Sequence, residues 1–498
     1  MSKLENGYHM DGSSSNLFTG LTEKSPLVLD EKSELNRTRL LSEEKLIGLK
    51  TITTFGSICL IVNNVNGPGM LELPALFQTA GWVPCVLMLG LACAISSILS
   101  VMFAEAIAKI PGNGQYCRRM EFSSVFEAFM GRRWFYITQL TFFLFLFTQN
   151  VASIVSTAQS LDAYLASTAL GEAWALQLWP LPSLGLTSWH VPKSCLAEGV
   201  HCSAFATQGP DAVLITAGYV VVAVLFLPLC FMNLEENITW QKVSFVVLCV
   251  LTVEFMVGVC YAGAYDAANL PAWGASVGDL PGLVVTNYAF GITMPSWLCE
   301  KAPDVREKRC IWISTILATA MYIMFASVVG SHMPNLPDNI LNILGSEKVD
   351  WFTRFSSGTF GLFIIGLGIP VFSVLCRYNL VVGGVCGPRA GMFYSSVLPF
   401  LISFTMYQGH FILDLLSWSG TLLSSLLNFY GPMVLCLIAL KNGTGRILEC
   451  GSETSNRKKM LVGMMGFLTI AIIVGSIVKI QEERQGMRYP GDTPNNRS

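Results

Sequence analysis

The run Asn63-Asn64-Val65-Asn66-Gly67-Pro68-Gly69-Met70-Leu71-Glu72-Leu73-Pro74 puts three amides, two glycines, two prolines and a carboxylate in the middle of an apolar segment. In hydrocarbon, each backbone group freed from a helix costs several kcal/mol unless protein, water or a ligand satisfies it. Proline supplies no N–H, and glycine accepts conformations that other residues avoid. The run therefore predicts a helix broken at membrane depth, which is tolerated only where the break lines a cavity. A second stretch, Val284 to Trp297, carries Gly291 and Pro295 where helix continuity should be strongest. A broken helix offers N–H groups that attract a carboxylate, and carbonyls that attract an ammonium group or a cation. Two breaks side by side suit a zwitterion better than a sugar, a nucleotide or an inorganic anion. On this reading, backbone at Gly67, Gly69, Phe290 and Gly291 recognises the main chain of an amino acid. Side chains of Asn63, Asn66, Glu72, Tyr288 and Thr293 shape selectivity. The competing reading is an ordinary proline kink in each helix.

The elements that must position these residues are membrane spans. The chain is 52% hydrophobic and 13% charged, with a mean hydropathy of +0.53, about half the ~25% charge of a soluble domain. A net charge of −2 says nothing about partners, and no nucleic-acid partner is expected. Taking ~20 apolar residues per crossing, about eleven spans are expected, at 51–80, 83–106, 134–161, 211–231, 240–264, 282–299, 310–330, 356–381, 391–408, 411–439 and 460–480. The first and the sixth are the interrupted ones. If the first five form one repeat, the sixth opens the second, and interrupted segments at matching places in two halves mark a secondary transporter's site.

Residues 1–47 read as a disordered cytoplasmic tail, 48–480 as the transmembrane domain, and 481–498 as a short extracytoplasmic tail. The clusters Arg118-Arg119, Arg132-Arg133, Arg306/Lys308/Arg309 and Arg457-Lys458-Lys459 sort to one side when the N-terminus is placed in the cytoplasm. The loop 162–210 reads as an external cap, in which Cys195 and Cys202 could pair if it faces an oxidising compartment. No metal-ligand spacing appears, no histidine lies within an apolar span, and no nucleophile cluster supports an enzyme.

These motifs resemble the amino acid/auxin permease family, within the amino acid–polyamine–organocation superfamily, and most of all its sodium-coupled neutral amino acid transporters. Gly67 to Pro74 followed by Ala80-Gly81-Trp82 resembles the first-span signature. Glu105 to Gly114 resembles the pattern ending span 2, and Ile369-Pro370 with Arg377 the end of span 8. Asp414, Gly420 and Pro432 resemble span 10 in their offsets. The resemblance covers about residues 48–480. It implies an all-α, LeuT-type 5+5 inverted repeat working by alternating access, with Asn63 contacting sodium or substrate and Asn66 to Met70 holding the substrate carboxylate. Three departures stand out. Glycine (Gly366 and Gly368 flank the place) replaces a sodium-binding hydroxyl in span 8, the usual sixth-span histidine is absent, and Glu72 replaces a small residue.

Those departures bear on coupling. No cofactor is expected, and the coupling ion is a proton in preference to sodium. Span 1 carbonyls and Ser373 could still hold sodium. A proton needs a carboxylate raised from ~4.3 by burial, and Glu72 and Glu254 are the candidates, since intramembrane carboxylates default to function. The expectation is a multi-pass amino acid transporter in the lipid bilayer, at the plasma membrane in preference to lysosome or vacuole. The alternatives are sodium-coupled transport and a transporter-like amino acid sensor.

Overall fold

The computed structural model describes residues 50–169, 171–179, 185–190, 204–205, 212–337, 340–344, 349–407, 422–441 and 451–484. The tail 1–47, Cys195, Cys202, Asp414, Gly420 and most of the C-terminal tail lie outside these residues. The chain divides into Met1–Lys45 and Leu46–Ser498, and all the described residues fall in the second unit.

Six helices are long and apolar enough to cross a membrane: α3 (Trp82–Ala108), α5 (Arg132–Tyr164, continued by a π turn), α7 (Leu234–Ala262), α10 (Glu307–His332), α11 (Trp351–Val382) and the apolar part of α14 (Gly451–Arg484). Shorter apolar helices are α1 (Thr54–Val65), α6 (Ala217–Cys230) and α13 (Leu426–Lys441). A helical run over 388–406, α12, passes through a π turn at Phe393–Val397.

Both interrupted segments are broken as their composition demands. Thr53 caps α1, accepting from Gly56 N. The helix stops at Val65, a 3-10 turn covers Pro68–Leu71, and α2 (Leu73–Ala80) resumes with Pro74 in its first turn. There the missing N–H of proline costs nothing, because the first turn has no intrahelical acceptor for it. The second segment repeats the device. Helix α8 (Leu280–Asn287) opens on Pro281, a 3-10 turn covers Gly291–Thr293, and α9 (Met294–Glu300) opens on Pro295.

Gly81, between α2 and α3, has φ +91°, and a Cβ there would lie 2.6 Å from Gly274 N. That position requires glycine. It lets Trp82 N donate to Pro271 O at 3.0 Å and Gly274 N donate to Ala80 O at 2.9 Å, seating the segment before α8 against the α2–α3 corner.

The cap departs from the all-helical expectation. Strands β1 (Ala173–Trp179), β2 (Gly185–Trp189) and β3 (Val213–Thr216) form an antiparallel sheet in the order β2-β1-β3, with Leu176 opposite Leu186 and Ile215. Trp189, Phe205, Leu214, Phe226 and Tyr407 form a satellite core beneath it. Between α3 and α5 lies a short helix, α4 (Phe122–Met130), whose Phe122 is buried against Phe103, Phe126 and Phe142.

Candidate functional site

The two breaks meet. A Cβ added to Gly69 would lie 1.7 Å from Asn287 Oδ1, so only glycine admits the α8 amide against the first break. Asn287, Tyr288, Phe290, Gly291 and Thr293 are buried, as are Asn66 and Met70, while Gly67 and Gly69 are half-buried. Eight of the expected recognition residues therefore lie within or beside two contacting breaks.

Side chains from the surrounding helices brace the broken backbone. On the first break, the Tyr322 hydroxyl of α10 donates to Val65 O, and Asn66 Nδ2 lies 3.5 Å from Met321 Sδ. On the second, Ser96 Oγ donates to Tyr288 O at 3.0 Å, the Tyr288 hydroxyl meets Thr319 Oγ1, and Ile292 N donates to Asn428 Oδ1 at 3.0 Å. Asn428 sits in a π turn of α13 and is itself held by Ser424. A π turn redirects one side chain out of helical register and recurs at functional sites. Here it aims an amide at a backbone N–H freed by the break.

Four buried polar atoms on the broken helices have no hydrogen-bond partner among the described residues: Asn63 Oδ1, Asn66 Oδ1, Asn287 Nδ2 and Thr293 Oγ1. Each such group costs about 1–3 kcal/mol if left unmade. Of these, the Asn66 acceptor, the Asn287 donor and the Thr293 hydroxyl, on the two contacting breaks, suit a small ligand that carries both donors and acceptors.

Asn63 does not face the others directly. Its Nδ2 donates to Gln241 O at 2.8 Å and to Gln241 Oε1 at 2.9 Å, while Gln241 Nε2 donates to Leu367 O at 3.0 Å. A chain of amides thus links α1 through α7 to α11. Ser373, the candidate sodium hydroxyl, accepts from Asn150 Nδ2 of α5 at 2.8 Å. The structure does not bring Ser373 and Asn63 together through any hydrogen bond between them.

The two coupling candidates have unlike surroundings. Glu72 is exposed. Glu254 is half-buried, and its Oε1 lies 2.8 Å from Thr353 Oγ1, which in turn lies 2.6 Å from Asp350 Oδ1. One hydroxyl proton cannot serve two carboxylates. The Thr353 hydroxyl, bonded to Asp350, holds that carboxyl below its ordinary range. The Thr353 oxygen is then left as an acceptor, and a protonated Glu254 can donate to it. No three His, Cys, Asp or Glu residues that could hold a metal ion cluster among the described residues.

A cavity of about 380 Å³ lies away from the breaks, between Leu87 and Leu91 of α3, Pro281 of α8, and Phe467, Ile470 and Val474 of α14. Its lining is apolar and offers nothing to a carboxylate or an ammonium group. The breaks therefore remain the candidate site.

Sequence reasoning missed Asn428, Gln241 and Tyr322. Each lies on an unbroken stretch of span, where a lone polar residue looks like many others, and no local signal marks it.

Residues 50–181 match the family described as transmembrane amino acid transporter protein. No curated protein matches the chain. The fold is similar to the crystal structure of MhsT in complex with L-phenylalanine, with a TM-score of 0.51 at 12% identity over 86% of this chain and 99% of that one. The matching family model describes a transporter rather than an enzyme. With six apolar helices of membrane-crossing length, the chain is an integral membrane protein.

Proposed function

We propose that the protein is a secondary transporter of amino acids that works by alternating access, with α1–α2 and α8–α9 as the paired broken spans of a 5+5 repeat of about eleven crossings. The observation that carries this reading is the contact of Gly69 with Asn287. It joins two broken helices whose unsatisfied polar atoms match an amino acid's ammonium and carboxylate groups. The match of residues 50–181 to an amino acid transporter family supports the substrate class. Lysine and arginine placement supports a cytoplasmic N-terminus, and the plasma membrane is preferred over lysosome or vacuole.

Coupling is to protons, with Glu254 favoured and Glu72 the second candidate. The Thr353 hydroxyl between the two carboxyls supports Glu254, since a protonated Glu254 can donate to the Thr353 oxygen while that hydroxyl donates to Asp350. Sodium coupling through Asn63 and Ser373 is the second reading. A non-transporting amino acid sensor is the third.

Uptake by reconstituted full-length protein, across a panel of amino acids and with proton and sodium gradients imposed separately, tests all three. Accumulation driven by an inward proton gradient is expected, and Glu254→Gln should remove its pH dependence. Flux driven only by sodium overturns the coupling, and binding without flux makes the protein a sensor.

A further inference from the structure

The seam beside α1 and α9 holds an acid that amino acid recognition does not use. Glu121, the residue before α4, is 3% exposed. Its Oε2 accepts from Ser296 Oγ of α9 at 2.6 Å. No lysine or arginine among the described residues forms an ion pair with it.

Glu300, one turn beyond Ser296 on the same helix, is 1% exposed, and its charge opposes that of Glu121. Arg119, on the same loop as Glu121, acts in the opposite sense and more weakly. On its other side, Glu300 meets Tyr378 and Arg377 of α11. Lys301 follows directly but is turned away, its Nζ 2.9 Å from Val305 O and 3.7 Å from Glu307 Oε2. Cys299 Sγ lies 3.7 Å from both Arg118 O and Met120 O, so it bridges the same seam.

A carboxylate buried without a cation and facing a second carboxyl is costly to ionise. One hydroxyl donor offsets only part of that cost. Burial raises the Glu121 carboxyl from 4.5 to about 8, against the usual downward pull of a hydrogen bond from Ser296.

We propose that Glu121 is a proton-binding site that latches α9. Protonated, it holds α9 through Ser296. Ionised, it draws water and repels Glu300, and the α4–α9 seam loosens. The latch rests on reading α9 as the moving inner half of a broken span in an amino acid transporter, and it adds a second proton site, distant from Glu254. The sign for stability follows. A carboxyl neutral in the fold and ionised above 4.5 in the open chain makes stability fall as pH rises from 4.5 through about 8.

Cys299 reports the seam without any need for transport, and the exposed Cys117 on the loop before α4 reports the intrinsic pH response of a thiol reagent. The full chain in vesicles is alkylated with a maleimide from about pH 6 to about pH 9, a window bracketing the titration, and peptide mass spectrometry gives the ratio of labelling at Cys299 to that at Cys117. The wild-type ratio should rise about tenfold per pH unit below the titration and level off above it. Glu121→Gln should hold the ratio low throughout. Ser296→Ala, which keeps the carboxyl but removes the latch, should raise it already at neutral pH. A wild-type ratio that stays flat, a rise that persists in Glu121→Gln, or a Ser296→Ala ratio equal to wild type overturns the proposal. Removing the Glu121 charge alone would make the neighbouring thiol more reactive, the opposite of the expected change. Failure of amino acid uptake leaves this ratio unaffected, so the two readings fail separately.

Discussion

One methyl group on Gly69 would fall 1.7 Å from Asn287 Oδ1, closer than any packed atom tolerates. Gly69→Ala must therefore push the two breaks apart or rotate the Asn287 amide. Amino acid affinity, read as the ligand-induced shift in melting temperature, should drop by about tenfold or more, equivalent to ~1.4 kcal/mol. Asn287→Ala on that background removes the clash and should recover part of the shift. An unchanged shift in Gly69→Ala would show that the breaks do not hold the ligand. The two glycines of the first break were legible in the sequence because nothing else explains them inside an apolar span. Asn287 was legible only as one polar residue in the second break. That its amide would rest on Gly69 depends on how two distant segments pack, which no local pattern records.

At the scale of elements, the unbroken helices hold one another through polar groups at their ends. The Arg377 guanidinium of α11 is buried and donates from Nη1 to Cys230 O at 3.1 Å and from Nη2 to Met232 O. It satisfies carbonyls left open where α6 ends, a place that favours positive charge. Beside it, Leu234 N donates to the Tyr378 hydroxyl at 3.0 Å, so α11 rivets the turn between α6 and α7. Arg377→Met should leave those carbonyls unpaired and cost about 2–4 kcal/mol, read as a lowered melting temperature without ligand. Arg377→Lys should cost less. If Arg377→Met melts with wild type, the rivet is not structural. Helix existence and length were legible here, because a bilayer enforces long apolar runs. Side-chain roles were less so. The hydroxyls of Thr138, Thr141 and Thr148 donate to their own helix at Trp134 O, Ile137 O and Phe145 O. The glycines at 358 and 361 let α11 approach Tyr164 and Ser160, a packing role.

Across the whole molecule, two clasps close on the broken spans. On one side, Ile52 N donates to Glu300 O at 3.1 Å, Ala302 N donates to Ile52 O at 2.9 Å, and Trp297 Nε1 donates to Ser57 Oγ at 2.9 Å. On the other, Gln78 Nε2 donates to Gly330 O at 2.8 Å and Met333 O at 2.6 Å, and Leu336 N donates to Gln78 Oε1 at 3.0 Å. Ile52 and Lys301 are bridge partners, a spacing compatible with a disulfide. The double variant Ile52→Cys with Lys301→Cys, once oxidised, should lose uptake and regain it on reduction while still binding amino acid. Uptake that survives oxidation would show that this clasp need not open. The sequence pointed to the paired breaks but not to the clasps, whose partners lie far apart in the chain: Ile52 with Glu300 and Ala302, Ser57 with Trp297, and Gln78 with Gly330, Met333 and Leu336. The sheet of the cap was illegible for a related reason, since its alternation is confined to Ala173 to Trp179 inside a loop rich in tryptophan and proline.

Clasps shut at both ends together have a consequence for the membrane that houses them. A protein holding that arrangement between steps conducts no current and dissipates no stored gradient while it waits. For the transport cycle proposed above, flux would then be a count of completed cycles, with a ceiling set by how fast a few hydrogen bonds part and reform rather than by how fast solute diffuses.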